Sequence, residues 1–362
     1  MQLDEIMDVD LLRWHLKEGN VVSQTHPELP LTIYNYSKLC QYQRTWDEVT
    51  LQTRGLVADS DNRVVMLPLK KFFNVAEHEA YEDELGPLPN ENYSIYEKKD
   101  GSLFLARNDP EYGLVTASRG SFISEQCQVG TKLLSETRFE NEANDELTYI
   151  FEVIYPENRI VINHGNEKAL YLLAIKDTEE NHDLPPRAEL TWAQQLGVKA
   201  PRTFSFDDNS LSALPNFISD DEEGYVIRYH ESNVRAKIKG DTYIRLHRIM
   251  TQTNPKTIWE WLRDDNAIDE LIEDVPDEFF EWATSVSNKL LSQHNDILVQ
   301  AHTAANEARG LSTRKEQAEL IKNTAYPGIA FSLLDYNDEK ASDAAWKMVK
   351  PRGDEPFLES DE

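Results

Sequence analysis

The chain has 362 residues, of which 40% are hydrophobic and 28% charged, and it carries a formal net charge of −28. That length accommodates two domains with cores of their own. No apolar run approaches the roughly 18 residues of a membrane span, and Met1-Gln2-Leu3-Asp4-Glu5 lacks the basic flank and apolar stretch of a secretory signal. Cys40 and Cys127 are too few for a disulfide framework, so both are expected as buried packing residues in a reducing cytoplasm. The acidity sets a sharper limit, because a polyanion is repelled by such a chain. Either the partner is not nucleic acid, or the cations gather in one groove while acids cover the remaining surface, an arrangement that also suits a cytoplasm of high salt. Asp354-Glu355 and Glu359-Ser360-Asp361-Glu362 add an acidic, frayed end.

Residues 1–20 read as a short helix, with Leu11, Leu12, His15 and Leu16 as its apolar side. Leu31 to Tyr36 alternates as a strand that includes Tyr34 and Tyr36. Arg54 to Asp59 and Arg63 to Leu67 read as two strands joined by an Asp-Asn turn. Lys70-Lys71-Phe72-Phe73-Asn74 reads either as a strand end with snorkelling lysines or as part of a site. Tyr93 to Glu97 and Ser102 to Arg107 are strands, and the Asp100-Gly101 between them is a hairpin signal. The connecting Lys98-Lys99-Asp100-Gly101 has a second reading as Lys-x-Asp-Gly, with Lys98 a nucleophile toward a nucleotide α-phosphate.

Gly113 to Ser118 continues the strands, and Arg119-Gly120-Ser121 predicts a helix start with Ser121 as N-cap. Tyr149 to Tyr155 is an apolar strand interrupted by Glu152, which either faces water on an edge or is buried with a partner. Ala169 to Ile175 and Gly224 to Ile227 are further strands, the second entered through Glu222-Glu223, while Thr191 to Leu196 reads as helical. Val234 to Lys239 places Arg235, Lys237 and Lys239 on one strand face. These are three of six basic residues between Arg228 and Arg248. Such a face is either a solvated edge blunted by lysines or a set of cations around an anion. Beyond Asn254-Pro255 the apolar period changes from two to 3.6. Helices are predicted over Lys256 to Arg263, from Pro276 to Gly310, after a Thr313–Glu316 capping box, and over Asp343 to Lys350. The expected organisation is therefore an α+β body, residues 1–248, followed by an all-helical domain, residues 249–362.

The ordered set of motifs resembles the covalent nucleotidyltransferases, and more narrowly the RNA ligase 1 family of T-even-like phages. It comprises Tyr34-Asn35-Tyr36, Arg54-Gly55, Lys71-Phe72-Phe73-Asn74, Lys98-Lys99-Asp100-Gly101-Ser102-Leu103 and Ser118-Arg119-Gly120-Ser121 with Ser124-Glu125-Gln126. Phe151-Glu152-Val153, Asn158-Arg159-Ile160-Val161, Glu223-Gly224-Tyr225-Val226, Lys237-Ile238-Lys239 and Leu246-His247 complete it. Position 119 departs from the pattern by carrying Arg in place of Lys, which keeps the charge. The resemblance implies a nucleotidyltransferase catalytic domain of antiparallel sheets with helices, and a helical C-terminal domain concerned with RNA specificity.

It further implies an ATP-dependent RNA ligase in which Lys98 takes AMP as a phosphoramidate and releases pyrophosphate. AMP passes to an RNA 5′-phosphate, and a 3′-hydroxyl displaces it. Glu223 is the expected ligand for Mg²⁺ (or Mn²⁺ in its place), since carboxylate oxygen suits a hard cation. Glu152 is assigned to the ribose, Arg54 and Lys71 to the triphosphate, Lys237, Lys239 and Arg54 to charge on the ATP phosphates, Arg119 to cofactor binding, and Asp100-Gly101 to the nucleophile motif. Either Tyr34 or Tyr36 is assigned to the adenosine pocket. An ordinary lysine is neutral in only about one molecule in 10³ at pH 7, and burial among Lys237, Lys239 and Arg54 is expected to lower the pKa of Lys98. The expected partner is RNA with 5′-phosphate and 3′-hydroxyl ends, tRNA among the candidates, met by a monomer with no membrane association in the cytoplasm, a host's if phage-encoded. A DNA ligase, a GTP-using capping enzyme and a non-catalytic RNA-binding module of the same fold are the competing readings.

Overall fold

In the computed structural model, residues 1–272, 275, 277–353 and 356–357 are described. Pro276 as a helix start and the acidic end at 354–355 and 359–362 lie outside them. The chain divides into two compact units, Met1–Ile244 and Arg245–Glu362, and the boundary falls within the helix Asp241–Gln252.

The first unit contains fourteen strands among its described residues. In chain order they are β1 (Val21–Thr25), β2 (Leu31–Tyr36), β3 (Arg54–Asp59), β4 (Val64–Met66), β5 (Phe73–Asn74), β6 (Tyr93–Lys98) and β7 (Ser102–Asp109). There follow β8 (Gly113–Ser118), β9 (Leu147–Ile154), β10 (Ala169–Asp177), β11 (His182–Asp183), β12 (Thr203–Phe204), β13 (Gly224–Tyr229) and β14 (Arg235–Lys239). They form three sheets, of order β1-β2-β3-β4, β11-β10-β9-β7-β8 and β12-β6-β13-β14-β5. All pairings are antiparallel except that of β14 with β5.

The middle sheet is covered on both faces, which explains why its strands are nearly continuous apolar runs. Leu103, Leu105, Val115 and Ile150 pack against Leu31, Ile33, Val57 and Val65 of the first sheet. On the other face Phe104, Phe151, Val153 and Leu172 meet Cys127, Leu134, Phe139 and Leu196 from the helices Glu125–Ser135, Phe139–Glu142 and Ala188–Leu196. The first sheet's far side packs on Leu3, Met7 and Leu12. The third sheet buries Ile95, Tyr225, Ile227 and Ile238 beneath Phe204, Phe206 and Leu214.

Two local expectations are corrected. Asp100-Gly101 is not a hairpin turn: β6 pairs with β12 and β13, while β7 pairs with β8 and β9. The tetrapeptide after Glu97 instead carries the chain from the third sheet to the middle one. A strand buried on both faces, such as β7, cannot share a partner with the half-buried β6, so packing overrides the local turn signal. The helix after Arg119 starts later than expected, at Glu125, with Ser124 as its cap. Ser121 is used in the preceding turn, where its hydroxyl accepts from the Ile123 and Ser124 amides.

The second unit is helical, with Pro255–Arg263, Ile268–Leu271, Asp277–Arg309, Arg314–Lys322, Pro327–Leu334 and Asp338–Met348 among its described residues. Thr313 and Glu316 form the expected capping box. Ile297, Ala301 and Ala305 of the longest helix pack on Ile321, Ile329, Leu333 and Ala345. Its last helix begins five residues earlier than the sequence suggested, because Asn337 caps it at Lys340.

Gly224 is the most constrained glycine of the site. Its φ is +143°, and a Cβ there would lie 2.0 Å from the Ile238 carbonyl oxygen of the neighbouring strand. Gly224→Ala is expected to cost about 3 kcal/mol or more, lowering the thermal midpoint by several degrees. Gly113→Ala, with φ +71° and nothing within 4 Å, should cost only about 1 kcal/mol. Circular-dichroism melts of the two variants check the contrast, and equal losses would refute it.

Candidate functional site

Strand register builds the site. Gly224 pairs with Lys98 on one side and with Lys239 on the other, so two lysines and the carboxylate preceding Gly224 meet at one end of the third sheet. Lys237 lies on the same face as Lys239 and pairs with Asn74 of β5. That parallel pairing brings in the segment that starts with Lys71. Gly101, at the entry to the middle sheet, has no room for a side chain: a Cβ would lie 2.6 Å from the Val153 carbonyl oxygen and 3.1 Å from Glu152 Cγ. This close approach sets Glu152 of β9 beside the loop that follows Lys98.

Lys98 Nζ stands 2.7 Å from Glu223 Oε1, and Lys239 Nζ stands 3.4 Å from the same oxygen. The second oxygen, Glu223 Oε2, is buried without a hydrogen-bond partner. Burial would raise the Glu223 pKa, but Lys98 and Lys239 outweigh it and hold the carboxylate below its usual range. Burial and repulsion by Glu223 act the other way on Glu152, which is pushed up to about 7 against the pull of Lys98 and Arg54.

The expected lowering of the Lys98 pKa is corrected by this geometry. Burial does press it down, but Glu223, Glu152 and Asp100 together outweigh burial and raise it. The sequence reading counted the neighbouring cations and left out three carboxylates that only tertiary folding gathers. The depressed lysines are others. Lys237 falls well below the ordinary value through burial and repulsion from Lys71, Lys239 and Lys98, and Lys239 falls to about 8 mainly through burial.

Asp100 is a structural pin. Its Oδ2 accepts from the Val161 and Ile162 amides at 2.8 and 2.7 Å, and its Oδ1 accepts from the Tyr243 hydroxyl at 2.8 Å. Tyr243 also presents its ring to Lys239 Nζ at 5.0 Å. Sequence reasoning missed Tyr243, which sits four residues beyond Lys239. The matched Asn158-Arg159-Ile160-Val161 run gains a function here as the loop that clasps Asp100. Lys99 faces elsewhere, donating to Glu97 Oε1 at 3.1 Å with its ammonium 4.5 Å from the Tyr171 ring.

A second cluster of cations lies at β2, β3 and the segment before β5. Lys71 is near the rings of Tyr36, Trp46 and Phe73, and Arg119 is near Tyr36. Burial would raise the Tyr36 phenol, yet Lys71, Arg54 and Arg119 bring it down to about 8. Tyr34 points the other way, packing on the core of Leu56 and Val49. A bulge between Tyr34 and Asn35 lies beside Gly55, whose φ is +98°. Of the two tyrosines, the cation cluster therefore contains Tyr36. Among the described residues no carboxylate lies within ion-pair distance of Lys71 or Lys237. Cations without a protein counter-ion suit phosphate oxygens, and an orphaned buried carboxylate oxygen suits a hard divalent cation.

The six basic residues from Arg228 to Arg248 do not act as one patch. Lys237 and Lys239 enter the site. Arg235 is paired with Asp183 at 2.5 Å, and Arg228 lies 3.9 Å from Glu189. Arg245 and Arg248 belong to the second unit.

Residues 52–244, more than half of the chain, match the profile of an RNA ligase family, that of T4 RNA ligase 1. The chain belongs to this family. It is similar to a candidate RNA ligase of Thermovibrio ammonificans, with 32% identity over 214 residues, covering 55% of this chain and 54% of the relative. The chain thus spans about half the length of that relative. An RNA ligase of Rhodothermus phage RM378 is 22% identical over 404 aligned positions, covering 92% of this chain and 87% of its own. Among solved structures, an archaeal ATP-dependent RNA ligase aligns with a TM-score of 0.49 and 12% identity, covering 87% of this chain and 86% of its own.

The Glu152 pKa yields a stability test. A carboxyl raised to about 7 holds a proton that the unfolded chain releases near pH ~4.3. Its contribution is therefore full below the unfolded pKa and is lost as pH rises to about 7. Glu152→Gln, which cannot ionise, should gain on the wild type by a few degrees in thermal midpoint between pH 5 and pH 8. A wild-type-to-variant difference independent of pH would contradict the environment assigned to Glu152.

Proposed function

We propose that this chain is an ATP-dependent RNA ligase working through a covalent lysyl-AMP intermediate on Lys98. The observation that carries the reading is Lys98 Nζ at 2.7 Å from the buried Glu223 Oε1, with Lys239 Nζ 3.4 Å from the same oxygen. A pure RNA binder has no need of a buried amine held against a buried carboxylate. Family membership supports the same chemistry.

In this reading the triphosphate of ATP lies along Lys71, Arg54, Arg119 and Lys237, with Tyr36 beside the cations. Phosphoryl transfer depends mainly on positioning and charge stabilisation, and this array supplies both. Lys98 must leave Glu223 and lose its proton before its nitrogen attacks the α-phosphorus and pyrophosphate departs. Glu223, with an orphaned oxygen, is the residue suited to hold Mg²⁺ or Mn²⁺, and a bound cation would stabilise charge on the α-phosphate. Lys239, with its pKa lowered to about 8, is suited to accept a proton near neutral pH. Glu152 is assigned to the ribose hydroxyls. The AMP then passes to an RNA 5′-phosphate, and a 3′-hydroxyl displaces it, forming the phosphodiester.

The substrates are RNA ends, broken tRNA among them, and the protein acts as a cytoplasmic monomer. No helix among the described residues is long and apolar enough to cross a membrane. The adenylyltransferase activity is assigned to the first unit, and selection among RNAs to the helical second unit.

The orientation of the two lysines makes the test specific. Lys98→Ala should lose covalent labelling by α-labelled ATP by at least about 10³-fold, since no other amine touches Glu223 from the nucleophile loop. Lys99→Ala, altering a residue aimed at Glu97 and Tyr171, should keep labelling within about fivefold. Lys98→Ala given pre-adenylated RNA and Mg²⁺ should still join it, because the last attack does not use the lysine as nucleophile. Denaturing electrophoresis reads the first two outcomes, and sequencing-gel ligation the third. Labelling that survives Lys98→Ala would overturn the assignment.

A further inference from the structure

The two strands that carry Lys98 and Glu223 each place a glutamate immediately before the functional residue. Glu97 precedes Lys98 on β6, and Glu222 precedes Glu223 at the entry to β13. Side chains alternate between the faces of a strand, and Glu97 accordingly faces away from the Lys98–Glu223 pair. There it meets Arg202, which leads into β12. The contact is bidentate: Arg202 Nε lies 3.1 Å from Glu97 Oε2, and Nη2 lies 3.2 Å from Oε1. The same Nη2 donates to Glu222 Oε1 at 2.7 Å. The backbone adds a hydrogen bond, the Glu97 N–H donating to the Arg202 carbonyl oxygen at 2.8 Å. The guanidinium lies 5.2 Å from the centre of the Phe204 ring, which limits its motion.

Resting on the ligase reading above, we propose that Arg202 is a positioning residue that fixes the spacing of Lys98 and Glu223 from the opposite face of the sheet. One guanidinium joins the residues preceding both functional groups, so the outer Glu97–Arg202–Glu222 bridge is the mirror of the inner Lys98–Glu223 pair. Without it, Glu97 would keep only Lys99, at 3.1 Å, as a counter-ion, and nothing would link it to Glu222 across β6 and β13 at the end where the inner pair must hold its distance. Arg202 is mostly exposed, whereas Glu97 and Glu222 are largely covered, with 11% and 15% of their side chains accessible. An exposed single ion pair is worth little, but a bidentate guanidinium held by a second carboxylate and a ring is geometrically specific. Arg202 touches neither Lys98 nor Glu223, and its effect passes through the strands. In the reaction, the inner pair has to separate while the strand frame stays in place, and the outer bridge holds that frame.

Arg202→Met tests this in the full-length protein, with two readouts. The first is the single-turnover rate of covalent AMP labelling. It should fall about tenfold, while the ATP concentration giving half the maximal rate stays within about twofold, because Arg202 is on the face opposite the phosphate-binding cations. Arg202→Lys, which retains the charge but not the fork, should recover part of the rate. The second readout needs no nucleotide: acetic anhydride footprinting of lysines, quantified by mass spectrometry. Lys98 acetylation should rise at least threefold in Arg202→Met as the inner pair loosens, while the exposed Lys132 serves as the unchanged reference. A variant that melts within a few degrees of wild type yet shows wild-type Lys98 acetylation would overturn the proposal. So would a wild-type labelling rate, or a rate lost only through weaker ATP binding. If the wild-type protein takes no AMP label, the ligase reading fails, and the footprint still decides whether Arg202 holds Lys98.

Discussion

The ion pair between Lys98 and Glu223 is the constraint on which the site depends. It joins β6 to β13, and through Lys239 it reaches β14, so one carboxylate oxygen ties together three adjacent strands. Such a pair is costly to bury unless its geometry is good and its surroundings polar. The surroundings here include Asp100, held by two backbone amides and the Tyr243 hydroxyl. Glycines remove the bulk that would keep these groups apart. Gly224 lets β13 run against the Ile238 carbonyl, and Gly101 lets the loop after Lys98 press onto β9.

The net charge of −28 is compatible with local cation clusters because the basic side chains are not spread evenly. Cations that matter are divided among distinct environments. Lys98 and Lys239 share Glu223, Arg235 is satisfied by Asp183, and Lys71 and Lys237 remain in a partly apolar setting with no carboxylate at ion-pair distance among the described residues. This separation leaves Lys71 and Lys237, among the cations named, without a carboxylate at ion-pair distance among the described residues. The same division explains the opposite shifts of chemically identical groups. Carboxylates raise Lys98, whereas burial and like charge depress Lys237. The carboxylates of Glu223, Glu152 and Asp100 thus favour the protonated form of Lys98.

Sequence-based and tertiary information divide cleanly at several residues. As candidates, Lys98, Glu152, Glu223, Lys237 and Lys239 were legible through the family resemblance that their ordered motifs carry. The helical second unit was legible from the change of period after Pro255, and Thr313 from its capping box. Tyr243 was not legible, because one tyrosine in an amphipathic helix looks like any other core aromatic until its hydroxyl is placed on Asp100. Arg202 was not legible either, since its partners are 105 and 20 residues away.

What the sequence by itself determined was the set of reactive residue types, their order, and the α+β-then-helix organisation. The organisation follows from short-range periodicity, which depends on neighbours along the chain, whereas the candidate residues and their order follow from the resemblance carried by the motifs. Tertiary structure alone decided that Asp100-Gly101 crosses between sheets, that Tyr36 and not Tyr34 joins the cations, and that the Lys98 pKa rises. Each depends on which distant strands become neighbours. A hairpin signal is overridden when the two strands find better partners, a bulge beside Gly55 turns successive tyrosines to different cores, and a lysine's pKa is set by carboxylates brought in from β9 and β13. Register, which no local pattern specifies across such distances, is the physical reason.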